Sequence, residues 1–162
     1  MLKHHCKPVC LSLISTDLPV WSAIEAAATL YQKDRDRFHL LLSEPLTQGT
    51  AFAEKGETAA KTQPETPRLL WLEISPYRAV MTMQHNNRLS YRHLWEQGVY
   101  GLSRYWMRED LQGWSGQLRL RNFTRSLELV GHPFPKKLRI EYELWTEKLR
   151  MGHYVLNLEI RD

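Results

Sequence analysis

Cysteine is scarce in this chain. Cys6 and Cys10 are the only two, which excludes a disulfide-stapled scaffold. They fall in an extended run, where residues four apart stand roughly 13 Å from each other and cannot be bridged. The expectation is two buried, reduced thiols in a cytoplasmic protein. Long apolar runs are also missing: no stretch approaches the ~20 residues of a membrane-spanning helix. The apolar segment 9–14 is short, and Asp17 and Glu25 interrupt it before any leader-type cleavage site.

Motifs that carry chemistry are absent as well. The chain has no Gly-x-Ser-x-Gly elbow, Walker loop, His-Glu-x-x-His or Gly-x-Gly-x-x-Gly. His4, His5, Cys6 and Cys10 form the densest set of metal-ligand types, yet structural zinc sites combine two such pairs and no second one follows. No metal and no cofactor is expected. His39, His85, His93, His132 and His153 are scattered, and a general base needs proximity to its proton, which spacing alone does not supply. No residue is assigned a catalytic role.

What the chain does have is ordinary globular material. It is 43% hydrophobic and 25% charged over 162 residues, which argues against wholesale disorder and suits a single domain, 1–162. The segment 44–67 departs from this: it is polar, rich in proline and glycine, and lacks periodicity. It reads as a flexible internal loop that cannot bury enough apolar surface to offset its ordering entropy.

The patterning predicts an α+β fold. Residues 8–15 and 38–42 read as strands. Between them Val20, Ile24, Ala28 and Tyr31 recur at helical spacing, predicting a helix over 19–35 capped by Asp17. Residues 69–74 and 79–84 form a hairpin around Ser75-Pro76. Tyr91, Leu94, Trp95, Val99, Leu102, Tyr105 and Trp106 predict a second helix over 90–111, although Gly98 and Gly101 weaken it. From Gly116 onward four alternating runs predict an antiparallel meander, with breaks at 122–125, 131–135 and 146–152. The expected architecture is a mainly antiparallel sheet, a four-strand meander plus a hairpin, packed by two helices.

Charge is unevenly placed. Residues 1–87 hold nine basic and nine acidic side chains, whereas 88–150 hold twelve basic and seven acidic. An anionic partner would therefore meet the C-terminal part. The meander's polar face offers Arg119, Arg121, Arg139 and Trp145, with Lys136 and Lys137 at a strand end. This basic, aromatic surface suits an acidic protein partner first, since Arg and Trp are favoured at interface hot spots. The same surface suits RNA or single-stranded nucleic acid second. Glu141 and Glu143 share that face, and cross-strand pairing with Arg119, Arg121 and Arg139 is expected of them rather than acid–base work. A third use is a ligand or substrate pocket between the second helix and the sheet, lined by Trp95, Tyr105, Trp106 and Trp114. His132, stiffened by two flanking prolines in Gly131-His132-Pro133-Phe134-Pro135, is added to that set.

Overall fold

Alternation of inward and outward side chains runs through nearly all of the described residues. A computed structural model describes residues 4–43, 68–85, 89–109 and 114–162. Their regular structure consists of ten strands: β1 His4–Ser15, β2 Trp21–Gln32, β3 Phe38–Ser43, β4 Leu69–Ile74, β5 Arg78–His85, β6 Leu89–Glu96, β7 Tyr100–Glu109, β8 Trp114–Val130, β9 Lys137–Trp145 and β10 Arg150–Ile160. Each strand pairs antiparallel with the next in sequence. β1 pairs with β10 from Val9↔Ile160 to Ser15↔Tyr154, so the sheet closes into a barrel. Closure gives each of the ten strands a paired neighbour on both sides.

The inward positions build the core. Val9 and Leu11 on β1 meet Ala28 and Leu30 on β2, Phe38, Leu40 and Leu42 on β3, and Leu70, Leu72 and Ile74 on β4. The ring continues through Ala79, Met81 and Met83, then Trp95, Leu120 and Leu127, then Leu138, Ile140 and Tyr142, and ends with Leu156, Leu158 and Ile160. Burying each large side chain contributes roughly 1.5–3 kcal/mol. The end that holds the 131–136 loop is shut by aromatics: Phe134 packs 6.3 Å from Phe38 and 5.1 Å from His5.

The α+β expectation is overturned: no helix occurs among the described residues. The predicted helix 19–35 is a turn followed by β2, whose Ile24, Ala26, Ala28 and Leu30 alternate inward. Its helical spacing was coincidental: Trp21–Tyr31 pair with β1, and Ala28–Gln32 pair with β3 as well. Asp17 caps no helix; its carboxylate accepts from the amide of His153 at 3.0 Å and ties the β1–β2 turn to β10. The predicted helix 90–111 is the β6–β7 hairpin. Gly98, at φ 73°, sits in the turn, a left-handed conformation that glycine adopts without a Cβ penalty. The meander has three strands rather than four from Trp114 on, because 122–125 lies within β8. A bulge between Thr124 and Ser126 interrupts its register there. The 44–67 segment lies outside the described residues. Cys6 and Cys10 are unbridged, but neither is buried as expected: Cys6 is exposed and Cys10 half-buried.

Candidate functional site

Two regions gather the side chains with chemical potential: the lumen of the barrel and the outer face of β4–β8.

In the lumen, β6 points Tyr91, His93 and Trp95 inward, and β7 brings Ser103 and Tyr105 opposite them through the pairs His93↔Ser103 and Tyr91↔Tyr105. His93 is buried and stacked on Trp95, with ring centroids 5.0 Å apart and nearly parallel planes. Its Nδ1 lies 2.7 Å from the Ser103 hydroxyl, which also accepts from the Asn122 amide at 2.9 Å. Its Nε2 lies 3.2 Å from the Tyr105 hydroxyl. A neutral imidazole satisfies this geometry in either tautomer: one nitrogen donates to a hydroxyl oxygen while the other accepts a hydroxyl proton. Burial pushes the His93 pKa down to about 4, so the ring is neutral at physiological pH. The same burial pushes the Tyr105 and Tyr142 hydroxyls up, keeping both protonated.

Tyr142 and Tyr154 extend the cluster, their rings 5.5 Å apart. Three buried polar atoms here have no partner: Trp95 Nε1, Asn122 Oδ1 and Thr124 Oγ1. Toward the opposite end from Phe134 the lining becomes less covered. Leu13, Leu89, Tyr91, Tyr105, Met107 and Tyr154 are all half-buried. Leu118, placed inward by its pairing with Tyr105, is 42% exposed. Among the described residues, therefore, the lining is closely packed at the Phe134 end and less covered at the other.

On the outer face, registers align a single transverse rung. Leu41↔Trp71, Trp71↔Thr82, Thr82↔Arg92, Arg92↔Arg104 and Arg104↔Arg119 are direct partners across β3 to β8. A groove of about 460 Å³ lies over the first part of this rung, lined by His39, Trp71, Glu73, Thr82, Gln84 and Arg92 among others. His39 packs edge-on to Trp71 at 5.5 Å, and its Nε2 approaches Glu73 at 4.0 Å. Burial lowers the His39 pKa against the opposing pull of Glu73.

The sequence-predicted residues divide between these places. Arg119 and Arg121 are exposed on the outer face of β8; Arg121 donates to the Glu147 carbonyl and lies 5.5 Å from the Tyr100 ring. Arg139 and Trp145 belong to a separate, internally matched network. Arg139 stands 3.8 Å from Glu141, and Trp145 donates to Glu143 at 3.1 Å. Glu143 also accepts from Arg125 and faces Arg150. Burial works to raise the Glu143 pKa, but these hydrogen bonds and charges outweigh it and hold the carboxyl below its ordinary value. The two glutamates thus pair with Arg125, Arg139, Arg150 and His153, not with Arg119 or Arg121. Lys136 and Lys137 are exposed at the sealed end, where Lys137 pairs with Val130. That is nine residues beyond Arg121, roughly 30 Å along β8.

The pocket set divides too. Trp95 and Tyr105 face the lumen together, whereas Trp106 lies on the outside, 38% exposed. Trp114 opens β8 opposite Glu109, and its side chain lies outside the described residues. His132 is exposed in the loop at the sealed end, far from the lumen cluster. Sequence reasoning missed His93, Ser103 and Asn122 inside, and Arg92, Arg104 and Trp71 outside. The available signal was the alternation Tyr91, His93, Trp95, which shows only when a histidine is allowed to count as core. Among the described residues no group of three or more His, Cys, Asp or Glu is placed to hold a metal, and no helix is long and apolar enough to cross a membrane.

Comparison with known proteins yields a fold and nothing finer. No family model matches the chain, and no curated protein matches its sequence. The crystal structure of the ywiB protein from Bacillus subtilis is similar over 99% of this chain and 96% of its own, with a TM-score of 0.58 and 11% identity. That likeness is one of fold alone. A conserved protein of unknown function with a hot dog fold from Alicyclobacillus acidocaldarius aligns with 96% of this chain and 79% of its own. Its TM-score of 0.21 at 7% identity carries no weight.

Proposed function

We propose that this barrel is a binding protein for a small, neutral, largely apolar molecule, held in the accessible end of the lumen. The observation that carries the reading is the gradient in the lining, from half-covered Leu118, Tyr91, Tyr105 and Tyr154 at the mouth to fully enclosed His93, Ser103 and Asn122 beneath. Barrels accept ligands at such a mouth, and a ten-stranded circumference is wider than the eight-stranded one that side chains alone just fill.

The lining dictates the ligand's chemistry. Leu13, Leu89, Met107 and Leu118 give apolar contact, and the tyrosines give flat aromatic walls. None of these residues is charged at neutral pH, and His93 is held neutral by burial. An ion entering would lose hydration without a counter-charge, so charged ligands are disfavoured. The Tyr105 hydroxyl, bonded to His93 behind it, can turn toward a polar group on the ligand while staying protonated. Met107, half-buried opposite Leu89, supplies adaptable surface at the mouth, suiting a family of related shapes.

Titration with the neutral probe N-phenyl-1-naphthylamine tests this. Saturable binding with enhanced probe emission is expected, together with quenching of Trp95. Tyr105→Phe should weaken a hydrogen-bonding ligand about 5- to 10-fold, in line with ~1 kcal/mol for one lost bond. Leu118→Arg should abolish uptake by placing a charge in the mouth. Absence of saturable binding to the wild-type protein, with the fold intact by circular dichroism, would refute the reading.

A further inference from the structure

Arg92, Arg104 and Arg119 stand directly opposite one another on three consecutive strands. Like charges in direct cross-strand register repel and weaken a sheet. Elsewhere on this barrel the repulsion is avoided, because Arg125, Arg139 and Arg150 each face Glu141 or Glu143. The row has no such relief: among the described residues none of its three arginines forms an ion pair. Their outward neighbours on β6, β7 and β8, Ser90, Leu94, Leu102, Trp106, Gln117 and Arg121, include no carboxylate. Beyond β8 the β9–β10 turn brings Glu147 to the Arg121 end, where its carbonyl accepts from Arg121. A surface that keeps a repulsive row unneutralised is complementary to an external polyanion.

The groove beside the row narrows the choice of anion. Arg92 belongs to both, so the line of positive charge runs into a slot whose lining includes Trp71, 49% exposed. Glu73 and His39 line the same slot, the imidazole edge-on to the Trp71 ring and its Nε2 4.0 Å from the Glu73 carboxylate. A carboxylate there repels a phosphate but receives amino and imino protons. The arrangement is thus graded, from phosphate-attracting at Arg119 to base-attracting at Trp71 and Glu73. Its volume of about 460 Å³ falls in the range of small-ligand sites, roughly 300–1,000 Å³.

We propose that the outer face of β4–β8 binds single-stranded nucleic acid. The backbone lies along Arg92, Arg104 and Arg119, and one unstacked base sits on Trp71. Strand spacing of about 4.8 Å sets the guanidinium interval, and arginine forks grip phosphate oxygens in pairs. Trp106, exposed on the same face of β7, provides a second stacking surface. An acidic protein would also answer the charge, and the poly-glutamate comparator below separates that outcome from the proposal. This surface is the outside of the wall, so the inference is independent of the lumen ligand.

The test is fluorescence anisotropy with the full chain and a labelled mixed-sequence 12-mer. The duplex of the same sequence and a labelled poly-glutamate peptide serve as comparators. Three phosphate contacts on a single strand give a log–log salt slope of about −2. The triple variant R92S/R104S/R119S is expected to lose at least 10-fold in affinity and most of that slope. Trp71→Ala should lose 5- to 100-fold with the slope unchanged, whereas K136S/K137S, at the sealed end, should change little. Competition by free mononucleotides against the wild-type protein tests the base slot without any variant. Undetectable single-strand binding would overturn the proposal. So would affinity for duplex or poly-glutamate equal to that for the single strand, or indifference to both Trp71→Ala and mononucleotide, each of which reduces the face to a general anion surface.

Discussion

His93 is where burial and titration meet most directly. Its folded pKa of about 4 lies below the model-peptide value of 6.5. The unfolded chain therefore takes up a proton between these pH values that the folded chain refuses. Stability from this group is full above pH 6.5, falls as pH drops toward 4, and is level below that. A shift of this size corresponds to roughly 3 kcal/mol at its limit. Urea midpoints measured from pH 7.5 to 4 should show the decline, and His93→Gln should remove much of it while lowering stability at pH 7.5. A midpoint that does not respond to pH over this window in the wild type would contradict the burial argument. Tyr105 shares the same enclosure and is its only described contact with the open half of the lumen through a hydroxyl.

The β6–β7 hairpin shows how single residues decide an element. Gly98 makes its turn, and Gly101 lets the two strands close: a Cβ at 101 would overlap the Leu94 carbonyl oxygen and crowd Asn122 Oδ1 at 3.0 Å. Gly101→Ala is expected to cost about 3 kcal/mol by overpacking, which differential scanning calorimetry would register as a fall in Tm of roughly 6–12 °C. Gly98→Ala meets no atom within 4 Å and pays only for its positive φ, so its cost should be the smaller. β8 teaches a different lesson. Leu118, Leu120, Asn122 and Thr124 face inward at even positions, and after the bulge at Arg125 Leu127 and Leu129 face inward at odd ones. In sequence that phase change looks like the end of one strand and the start of another. The bulged residue is also put to use, because Arg125 reaches Glu143.

At the scale of the whole molecule, closure between β1 and β10 joins the two ends of the chain and makes the barrel one cooperative unit. Removing residues 150–162 would expose both β1 and β9 as long edges with their inward leucines uncovered. Such a truncation should appear as aggregate in size-exclusion chromatography rather than as a smaller folded monomer. A soluble, folded monomer would show that closure is dispensable.

Sequence by itself determined the strands whose alternation is uninterrupted and apolar: the 69–84 hairpin, the run 38–42, and Leu138 to Trp145. It also located the C-terminal excess of positive charge, with Arg119 and Arg121 in it. Those readings depend on period and composition, which are local. The tertiary structure decided the rest. Ala26, Ala28 and Leu30 became strand because β1 pairs with all three and β3 with the last two, partners that no local pattern announces. His93, Ser103 and Asn122 became core because they satisfy one another across three strands, which no single stretch of chain reveals. Arg139 and Trp145 left the basic surface for the glutamate network, while Arg92 and Arg104 joined it. Register aligns residues 12 and 15 positions apart in the chain on one rung, and only the pairing of strands specifies that alignment.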